Sequence, residues 1–160
     1  MLRLIPPRLH RAIYRAGHRL RRLWLKSTGA EVHGATVIGR DREGRVLLVR
    51  HSYGQPVWAF PGGGMKPHED AEKAALRELK EELGCTLADP AFVGHQKDIF
   101  LGAPNHVRIF TGIVAGEVRP DMREVVEARF FALDDLPENL SGTVPKRLAA
   151  LAEYEARGQL

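Results

Sequence analysis

Residues 63–85 read GGMKPHEDAEKAALRELKEELGC, a glycine-rich loop followed by a glutamate-rich segment with helical periodicity. On a helix of 3.6 residues per turn, Glu78, Glu81 and Glu82 stand at positions i, i+3 and i+4 and therefore share one side. Three like charges on one side repel one another unless a cation lies between them. Carboxylate oxygens at this density suit Mg²⁺ or Mn²⁺ better than Zn²⁺, which prefers nitrogen and sulfur ligands.

The flanks of this segment favour a functional helix over an ordinary one. Glutamate-rich helices are usually only water-facing surfaces, but here a turn-forming stretch precedes the helix at residues 60–64, and Gly84 stands where helices commonly stop. We predict the helix from about residue 70 to residue 83, with one face docked on the domain and the opposite, glutamate face free to hold metal. The docking face would consist of Ala75, Leu76, Leu79 and Leu83.

The same residues resemble the sequence box of the Nudix hydrolases. That box reads Gly, five residues, Glu, seven residues, Arg-Glu, an aliphatic residue, any residue, Glu-Glu, any residue, Gly and an aliphatic residue. Cys85 stands where Val, Ile or Leu is usual, a small departure because buried cysteine packs like a small hydrophobe. The remaining positions are filled in order by Gly63, Glu69, Arg77, Glu78, Leu79, Glu81, Glu82 and Gly84.

The resemblance implies an enzyme that hydrolyses a nucleoside diphosphate linked to another group, with Mg²⁺ or alternatively Mn²⁺ as cofactor. Such ions neutralise phosphate oxygens and lower the pKa of water. Arg77 is expected to anchor Glu69 and so fix the loop against the helix, while Gly63 and Gly64 let the backbone approach the phosphates. The metal ligands that the resemblance implies are Glu78, Glu81, Glu82 and the carbonyl oxygen of Gly62.

The box does not decide which residue is the general base. Glu81 is one candidate, because a base lies within hydrogen-bond reach of the attacking water. Many Nudix hydrolases draw a distal carboxylate from the segment before a late aromatic-aspartate-leucine-proline run, which corresponds here to part of residues 124–137. This makes Glu127 the preferred candidate and Glu124 the reserve.

Substrate recognition is expected in the loop that follows the second predicted strand. Tyr53 is a candidate for stacking on a base and Arg50 for contacting a phosphate, with turn packing and a plain surface charge as the alternatives. His106 and Arg108 are further candidates for the border of the pocket. Trp58 is expected in the core, and the seven histidines show no metal-ligand spacing.

Length and composition indicate one globular domain. The chain has 160 residues, of which 44% are hydrophobic and 28% charged, and no apolar run is long enough to span a bilayer. The single cysteine, Cys85, excludes an internal disulfide framework, is expected to be buried packing, and fits a reducing compartment. With no secretory signal visible, we expect a cytoplasmic protein.

The remaining periodicity predicts strands before, between and after helices. This order indicates an α+β or layered α/β domain, and the resemblance sharpens it to the Nudix fold, an α/β/α sandwich with a mixed sheet between helices. A loop is expected around residues 102–105. Strands are predicted at 32–39, 45–50, 57–60, 92–101, 108–115 and 125–133, and a closing helix at 145–156.

The N-terminal segment differs in charge from the rest of the chain. The first 30 residues carry eight basic side chains and no acidic one, whereas the remainder carries 16 basic and 20 acidic side chains. Apolar residues at helical spacing over residues 8–26 predict a basic amphipathic helix. We therefore divide the chain into an extension, residues 1–29, and a Nudix-like domain, residues 30–160.

Three interpretations of the extension stay open. Its apolar stripe packs on the domain or on a second subunit of a homodimer, which is favoured because packing is what most amphipathic helices do. Alternatively, it attaches to an anionic membrane surface, or its arginines contact RNA phosphates. The last would suit an RNA 5′-end pyrophosphohydrolase acting on a macromolecule instead of a small nucleotide.

Beside a hydrolase of small nucleotides and an RNA pyrophosphohydrolase, a third functional class is a non-catalytic Nudix module that senses a nucleotide or binds a partner. Such a module is expected to have a broken box.

Overall fold

A computed structural model describes residues 30–158 of the chain. The predicted helix over residues 8–26, and with it most of the extension, lies outside the described residues. Within them, the elements are β1 (Val32–Arg40), β2 (Val46–His51), β3 (Trp58–Ala59), β4 (Gly62–Gly64), α1 (Ala71–Leu83), β5 (Thr86–Phe100), β6 (Ala103–Ala115), β7 (Val125–Phe131) and α2 (Thr143–Ala156). No helix between residues 30 and 158 is long and apolar enough to cross a membrane.

The strands form one mixed sheet, as expected. Its main path runs β3-β2-β1-β6-β5, with β7 paired to β2 and β4 paired to β1. β1 and β6 are parallel along nine residue pairs, from Val32↔Asn105 to Arg40↔Ile113. The other strand pairs are antiparallel.

The sheet is buried on both faces because each helix covers one of them. Successive side chains of a strand point to opposite faces, so β1 and β2 supply residues to both cores. On one face α1 packs through Ala74, Ala75, Leu79 and Leu83 against Ala35, Val37, Leu47 and Val49. On the other face α2 packs through Val144, Leu151 and Tyr154 against Ile38, Val46 and Leu48. The α/β/α arrangement is therefore confirmed.

The glutamate-rich helix has the predicted limits. The side chain of Asp70 accepts a 3.0 Å hydrogen bond from the backbone N–H of Lys73, which caps the first turn. Gly84 adopts the left-handed conformation, with φ of 71°, and its N–H bonds to the carbonyl of Lys80. Both ends are thus determined by local sequence.

Two segments predicted as turn and loop are strands. Gly62–Gly64 pairs with β1 as β4, where Gly62 has a φ of 145° that L side chains rarely adopt. The prediction of a loop around residues 102–105 is wrong. Leu101 and Gly102, with φ of 55° and 90°, make a two-residue turn instead. Phe100 then pairs directly with Ala103.

β5 ends the sheet and is its longest strand, with 15 residues. Its pairing with β6 is interrupted by irregularities between Ala88 and Ala91 and between Phe92 and Gly94. Phe92 is 53% exposed on this strand and Ile99 is 73% exposed.

Candidate active site

Arg77 links the glycine-rich loop to α1. Its guanidinium donates two hydrogen bonds to the Glu69 carboxylate, from Nε to Oε1 at 2.8 Å and from Nη2 to Oε2 at 3.0 Å. The predicted contact is therefore present. The same guanidinium donates to Glu78 Oε1 at 2.7 Å, to Glu81 Oε2 at 3.3 Å and to the carbonyl of Gly64 at 3.1 Å. Hydrogen bonding by Arg77 holds the pKa of Glu69 at about 2, and the carboxylates raise the pKa of Arg77.

The three box glutamates differ in exposure. The side chain of Glu81 is 60% exposed and that of Glu78 is 15% exposed, whereas Glu82 as a residue is 4% exposed. All three line one cavity, in agreement with the predicted shared side, but Glu82 is buried there instead of exposed to solvent. The C-terminal end of α1 is covered, because the N–H groups of Arg119 and Asp121 donate to the carbonyls of Leu83 and Glu82.

Glu82 carries an unmet hydrogen-bonding capacity. Its Oε2 is buried without a hydrogen-bond partner among the described residues, and its Oε1 lies 3.6 Å from Nε2 of His51. A buried carboxylate is costly unless a cation or donors compensate it. Glu78 lies on the same side of α1, and burial raises the pKa of its carboxyl group against the opposing effect of Arg77.

Gly63 provides space for Glu78. A Cβ atom added at Gly63 would stand 2.5 Å from the carboxyl carbon of Glu78, closer than real Cβ contacts allow. Glycine at this position therefore lets the strand backbone and the carboxylate lie in contact. Gly63 and Glu78 together bring a backbone segment and a charged group to the same point.

The donor set fits a divalent cation. Carboxylate oxygens of Glu78 and Glu82 and the carbonyl of Gly62 are hard oxygen ligands, and the orphaned Oε2 of Glu82 lacks a positive partner. Within residues 30–158, no three His, Cys, Asp or Glu side chains are arranged to hold a metal ion as they stand. Arg77 bonds to an oxygen of Glu78 and to one of Glu81.

A cavity of about 590 Å³ opens beside these residues. It is lined by Tyr53 and His51, which belong to the segment expected to recognise substrate and whose ring centroids lie 5.2 Å apart. Glu124, the reserve candidate for the general base, also lines it. The predicted site residues that line it are Tyr53, Gly62, Gly63, Gly64, Arg77, Glu78, Glu81, Glu82 and Glu124.

Glu127 and Arg50 do not line the cavity. They face each other across β7 and β2, with Arg50 Nη1 3.0 Å from Glu127 Oε2. The second oxygen of Glu127 forms an ion pair with Nη2 of Arg129 at 2.6 Å. Both arginines lie over the ring of Trp58, which is buried in the core as predicted. This placement disfavours Glu127 as the base and Arg50 as a phosphate ligand.

Glu124 is held at the cavity by its backbone. The carboxylate of Asp121 accepts hydrogen bonds from the N–H groups of Arg123, Glu124 and Val125 at about 3.0 Å. The carbonyl of Glu124 accepts from the N–H of Ser52 at 2.8 Å. These bonds join the segment before β7 to the loop after β2.

The structure also brings together residues that the sequence did not link. His106 stacks between His33 and His95, with ring centroids 5.1 and 5.4 Å apart on three neighbouring strands. The parallel pairing of β1 with β6 creates this stack, and no local spacing signals it. Arg147 reaches the cavity from α2, and its signal was available, because it stands at a core-facing helical position among Val144, Leu151 and Tyr154.

Two further expectations concern Arg108 and Cys85. Arg108 contacts Met65, with Nη1 3.5 Å from the sulfur, and His106 and Arg108 do not line the cavity themselves. Cys85 is 1% exposed, and burial raises the pKa of its thiol, which agrees with a packing role.

Comparisons with known proteins agree with this architecture. The sequence profile of the NUDIX domain matches residues 31–152. An RNA pyrophosphohydrolase of Saccharophagus degradans is 45% identical over 58 residues, 36% of this chain and 34% of that protein. A Bacillus subtilis protein named "Putative 8-oxo-dGTP diphosphatase" is 30% identical over 126 residues, 79% of this chain and 81% of that protein. A MutT NUDIX hydrolase structure from Burkholderia pseudomallei superimposes with a TM-score of 0.70 at 26% identity, over 76% of this chain and 98% of that chain.

The glutamate helix, the glycine strand beside it and the mixed sheet between two helices define a Nudix-type enzyme. Because the domain profile covers most of the chain, the chain belongs to the Nudix hydrolase family. It spans about a third of the length of the RNA pyrophosphohydrolases it matches, and most of the length of the Bacillus subtilis relative.

Proposed function

We propose that the chain is a Mg²⁺-dependent hydrolase that cleaves the pyrophosphate linkage of a nucleoside diphosphate derivative. The observation that carries the proposal is the buried carboxylate of Glu82, whose Oε2 has no partner among the described residues, beside Glu78 and Gly63 at a cavity. Glu78, Glu82 and the carbonyl of Gly62 would hold the ion, with Glu81 joining them if Arg77 releases it. When bound, such an ion neutralises phosphate oxygens and lowers the pKa of water.

The chain's own residues prepare the site. Arg77 holds the loop of Gly64 and Glu69 against α1 and keeps the carboxylates in place through five hydrogen bonds. The backbone of Gly63 and Gly64 lines the cavity without side chains, which allows phosphates to approach closely. Tyr53 offers a ring at the rim for a nucleotide base.

We assign the general base to Glu124 in preference to Glu127 and Glu81. Glu124 lines the cavity and is anchored from two sides, whereas both oxygens of Glu127 are bound by arginines. Glu81 is engaged by Arg77. A base needs access to the attacking water, and a position on the cavity wall supports Glu124 in this role.

A small nucleotide is favoured over RNA as substrate. The relative named for 8-oxo-dGTP matches along most of its length, whereas the RNA pyrophosphohydrolases match over about a third of theirs. RNA remains the second candidate because the first 30 residues carry eight basic side chains and no acidic one. A non-catalytic module is disfavoured, since every charged position of the box is retained. Cytoplasmic location, a homodimer and membrane contact through residues 8–26 stay predictions.

The test is hydrolysis of a panel of nucleotides and 5′-triphosphorylated RNA, with Mg²⁺, with Mn²⁺ and with EDTA. For Glu82→Gln we expect a loss of about 10³-fold in kcat/KM, because several kcal/mol of charge stabilisation disappear. Its melting temperature should equal or exceed that of the wild type, since a buried uncompensated charge is removed. Glu72→Gln, at an exposed position of the same helix, is the matched control.

Three outcomes would contradict the proposal. Activity that persists in EDTA would exclude the metal, and full activity of Glu82→Gln would exclude the assigned site. Absence of hydrolysis on every nucleotide and on RNA would favour the binding module.

A further inference from the structure

A surface of the sheet beside the cavity combines aromatic and basic side chains. It lies on the same side of the sheet as α1, where Phe92 packs on the core residue Phe110 with ring centroids 5.5 Å apart. Alternate residues of a strand share a face, and so do directly opposed residues of neighbouring strands. Following this rule from Phe110 along β6, β5 and β1 gives the members of the surface. We call it the histidine face, and it consists of His33, Phe92, His95, Lys97, His106 and Arg108.

Much of the histidine face is open to solvent. Phe92 is 53% exposed, and His95 and Lys97 are exposed on the same strand. Ile99, two positions beyond Lys97, is 73% exposed. Charged residues protect an edge strand from pairing with another chain, but large exposed apolar side chains do the opposite. Apolar groups rimmed by polar ones mark an interaction site, so protection of the edge does not account for this composition.

Three members of the histidine face form a row of flat rings. His106 lies between His33 and His95, with interplanar angles of 20° and 10°, so the rings are nearly parallel. His95 ends the row on the edge strand β5 and is exposed. Nucleic-acid bases stack on histidine and phenylalanine rings, and every base offers a planar face for this contact. The row and Phe92 therefore provide a surface on which bases can stack.

The histidine face is positive, although the chain after its first 30 residues carries 16 basic and 20 acidic side chains. Arg108 and Lys97 have no carboxylate partner among the described residues. Partial burial lowers the pKa of His95, and neighbouring basic side chains, first His106 and then Arg108, lower it further. Glu31, just before β1, offsets part of this charge, with Oε2 3.4 Å from Nε2 of His106. Unpaired cations beside flat rings suit a ligand that carries both negative charges and planar groups.

We propose that the histidine face binds single-stranded nucleic acid. Arg108 and Lys97 pair with phosphates, while bases stack on Phe92 and on the exposed end of the ring row. A positive track and flat rings together are how proteins hold single strands without reading their sequence. The inference is independent of the proposed reaction, because the face does not include the box glutamates and needs no metal.

Other occupants fit the histidine face less well. An anionic lipid surface meets the same cations but offers no planar group to the rings. A second copy of the chain would bring the cations of both copies together, and like charges in an interface are unfavourable. The position of the face also suits a strand that reaches the cavity, because His33 belongs to the face and lines the cavity as well.

Binding of an RNA that the chain cannot hydrolyse separates the inference from the reaction. The probe is an oligoadenylate of about 12 nucleotides, within the usual site sizes of single-strand binders, with a 5′-hydroxyl and a 3′-fluorescein. It contains no pyrophosphate linkage, and its affinity for the full chain is measured by fluorescence anisotropy in EDTA at several salt concentrations. Binding by a chain that hydrolyses no nucleotide would support the face and refute the reaction.

Two variants assign the binding to the histidine face. Phe92→Ser removes a stacking ring and should weaken binding about tenfold. Lys97→Met removes a phosphate contact and should reduce the slope of log affinity against log salt by about 0.7. Leu133→Ser, at a 55% exposed leucine, and Lys146→Met, at an exposed lysine of α2, are the matched controls and should bind like the wild type. Circular dichroism melting verifies that each variant is folded.

Three results would overturn the inference. Wild-type binding by both folded variants would leave the basic first 30 residues as the source of any RNA affinity. Losses of the same size in the control variants would show that the effect is not specific to the histidine face. Co-sedimentation with phosphatidylserine vesicles that is lost in Phe92→Ser, while the RNA affinity stays unchanged, would assign the face to a membrane.

Discussion

Two arginine–glutamate clusters of this protein show how differently similar residues are used. The first cluster joins Arg77 to Glu69, Glu78 and Glu81 at the cavity. The second joins Glu127 to Arg50 and Arg129 on the outer part of the sheet, over the ring of Trp58.

The clusters differ in what they leave unsatisfied. Both oxygens of Glu127 have arginine partners, so no carboxylate oxygen of the second cluster is unpaired, although Nε of Arg50 is buried without a hydrogen-bond partner among the described residues. The first stands beside Glu82, which has a buried oxygen without a partner among residues 30–158. Unmet bonding capacity at a cavity therefore identifies functional carboxylates better than the number of charges does.

The strongest test of the comparison is to replace each of the two candidate bases, Glu124 and Glu127, by glutamine in separate variants. For Glu124→Gln we expect kcat to fall by about 10²- to 10⁴-fold, the usual contribution of a general base. For Glu127→Gln we expect a change within about twofold, because a part-exposed ion pair is replaced. Steady-state kinetics with the best nucleotide substrate measure both. A larger loss in Glu127→Gln would return the base to β7.

The contact between Gly63 and Glu78 gives the next effect. In Gly63→Ala the added methyl group displaces Glu78 or β4, and a displacement of about 1 Å can reduce the rate about 10²-fold. Kinetics and melting curves are compared with Gly142→Ala, where a Cβ meets no atom within 4 Å among the described residues. Equal activity of the two alanine variants would show that Glu78 need not stay against the strand.

The first cluster should also be visible in the acid stability of the fold. The pKa of Glu69 is about 2 in the folded chain against an ordinary value of 4.5, so the unfolded chain binds its proton at higher pH. The stabilisation is complete above pH 4.5 and is lost as the pH falls from there toward 2. Urea unfolding at a series of pH values should therefore give a steeper loss for the wild type than for Glu69→Gln. Glu153→Gln, exposed on α2, should follow the wild type.

The second cluster should contribute least. Arg50 and Glu127 are 36% and 27% exposed at the side chain, and ion pairs of this kind contribute about 0–1 kcal/mol. A double-mutant cycle with Arg50→Met and Glu127→Gln, measured by urea unfolding, gives the coupling free energy. We expect it to decrease with added salt. A coupling of several kcal/mol would contradict the view that this pair is a surface interaction.

Much of the site could be predicted because it is local in sequence. The limits of α1 follow from Asp70 and Gly84, and Arg77 on that helix reaches back to Glu69, which immediately precedes the cap. The burial of Glu82 could not be predicted from helical spacing, because its surroundings come from distant parts of the chain. Arg119 and Asp121 bond to the backbone at that end of the helix, and Nε2 of His51 lies 3.6 Å from the Glu82 side chain.

The two candidate bases outside the box, Glu124 and Glu127, are only three positions apart in the sequence, yet they lie in different surroundings. Glu124 precedes β7 and stays at the cavity, whereas Glu127 lies within β7 and meets Arg50, 77 residues away, through strand register. Likewise, Arg147 meets Asp98, 49 residues away, only after β5 and α2 have packed. Register between distant strands is what the sequence alone left undetermined.

The position of β5 at the edge of the sheet bears on whether a second copy of the chain can pair with it. An edge strand presents unpaired backbone groups that invite another chain to extend the sheet, and a long strand with exposed Phe92 and Ile99 increases that tendency. The interruptions after Ala88 and Phe92 bend the edge, while Pro90 removes one donor and Lys97 adds charge. Edge strands commonly resist pairing through such features, so we expect any self-association of this enzyme to use a surface other than the open edge of its sheet.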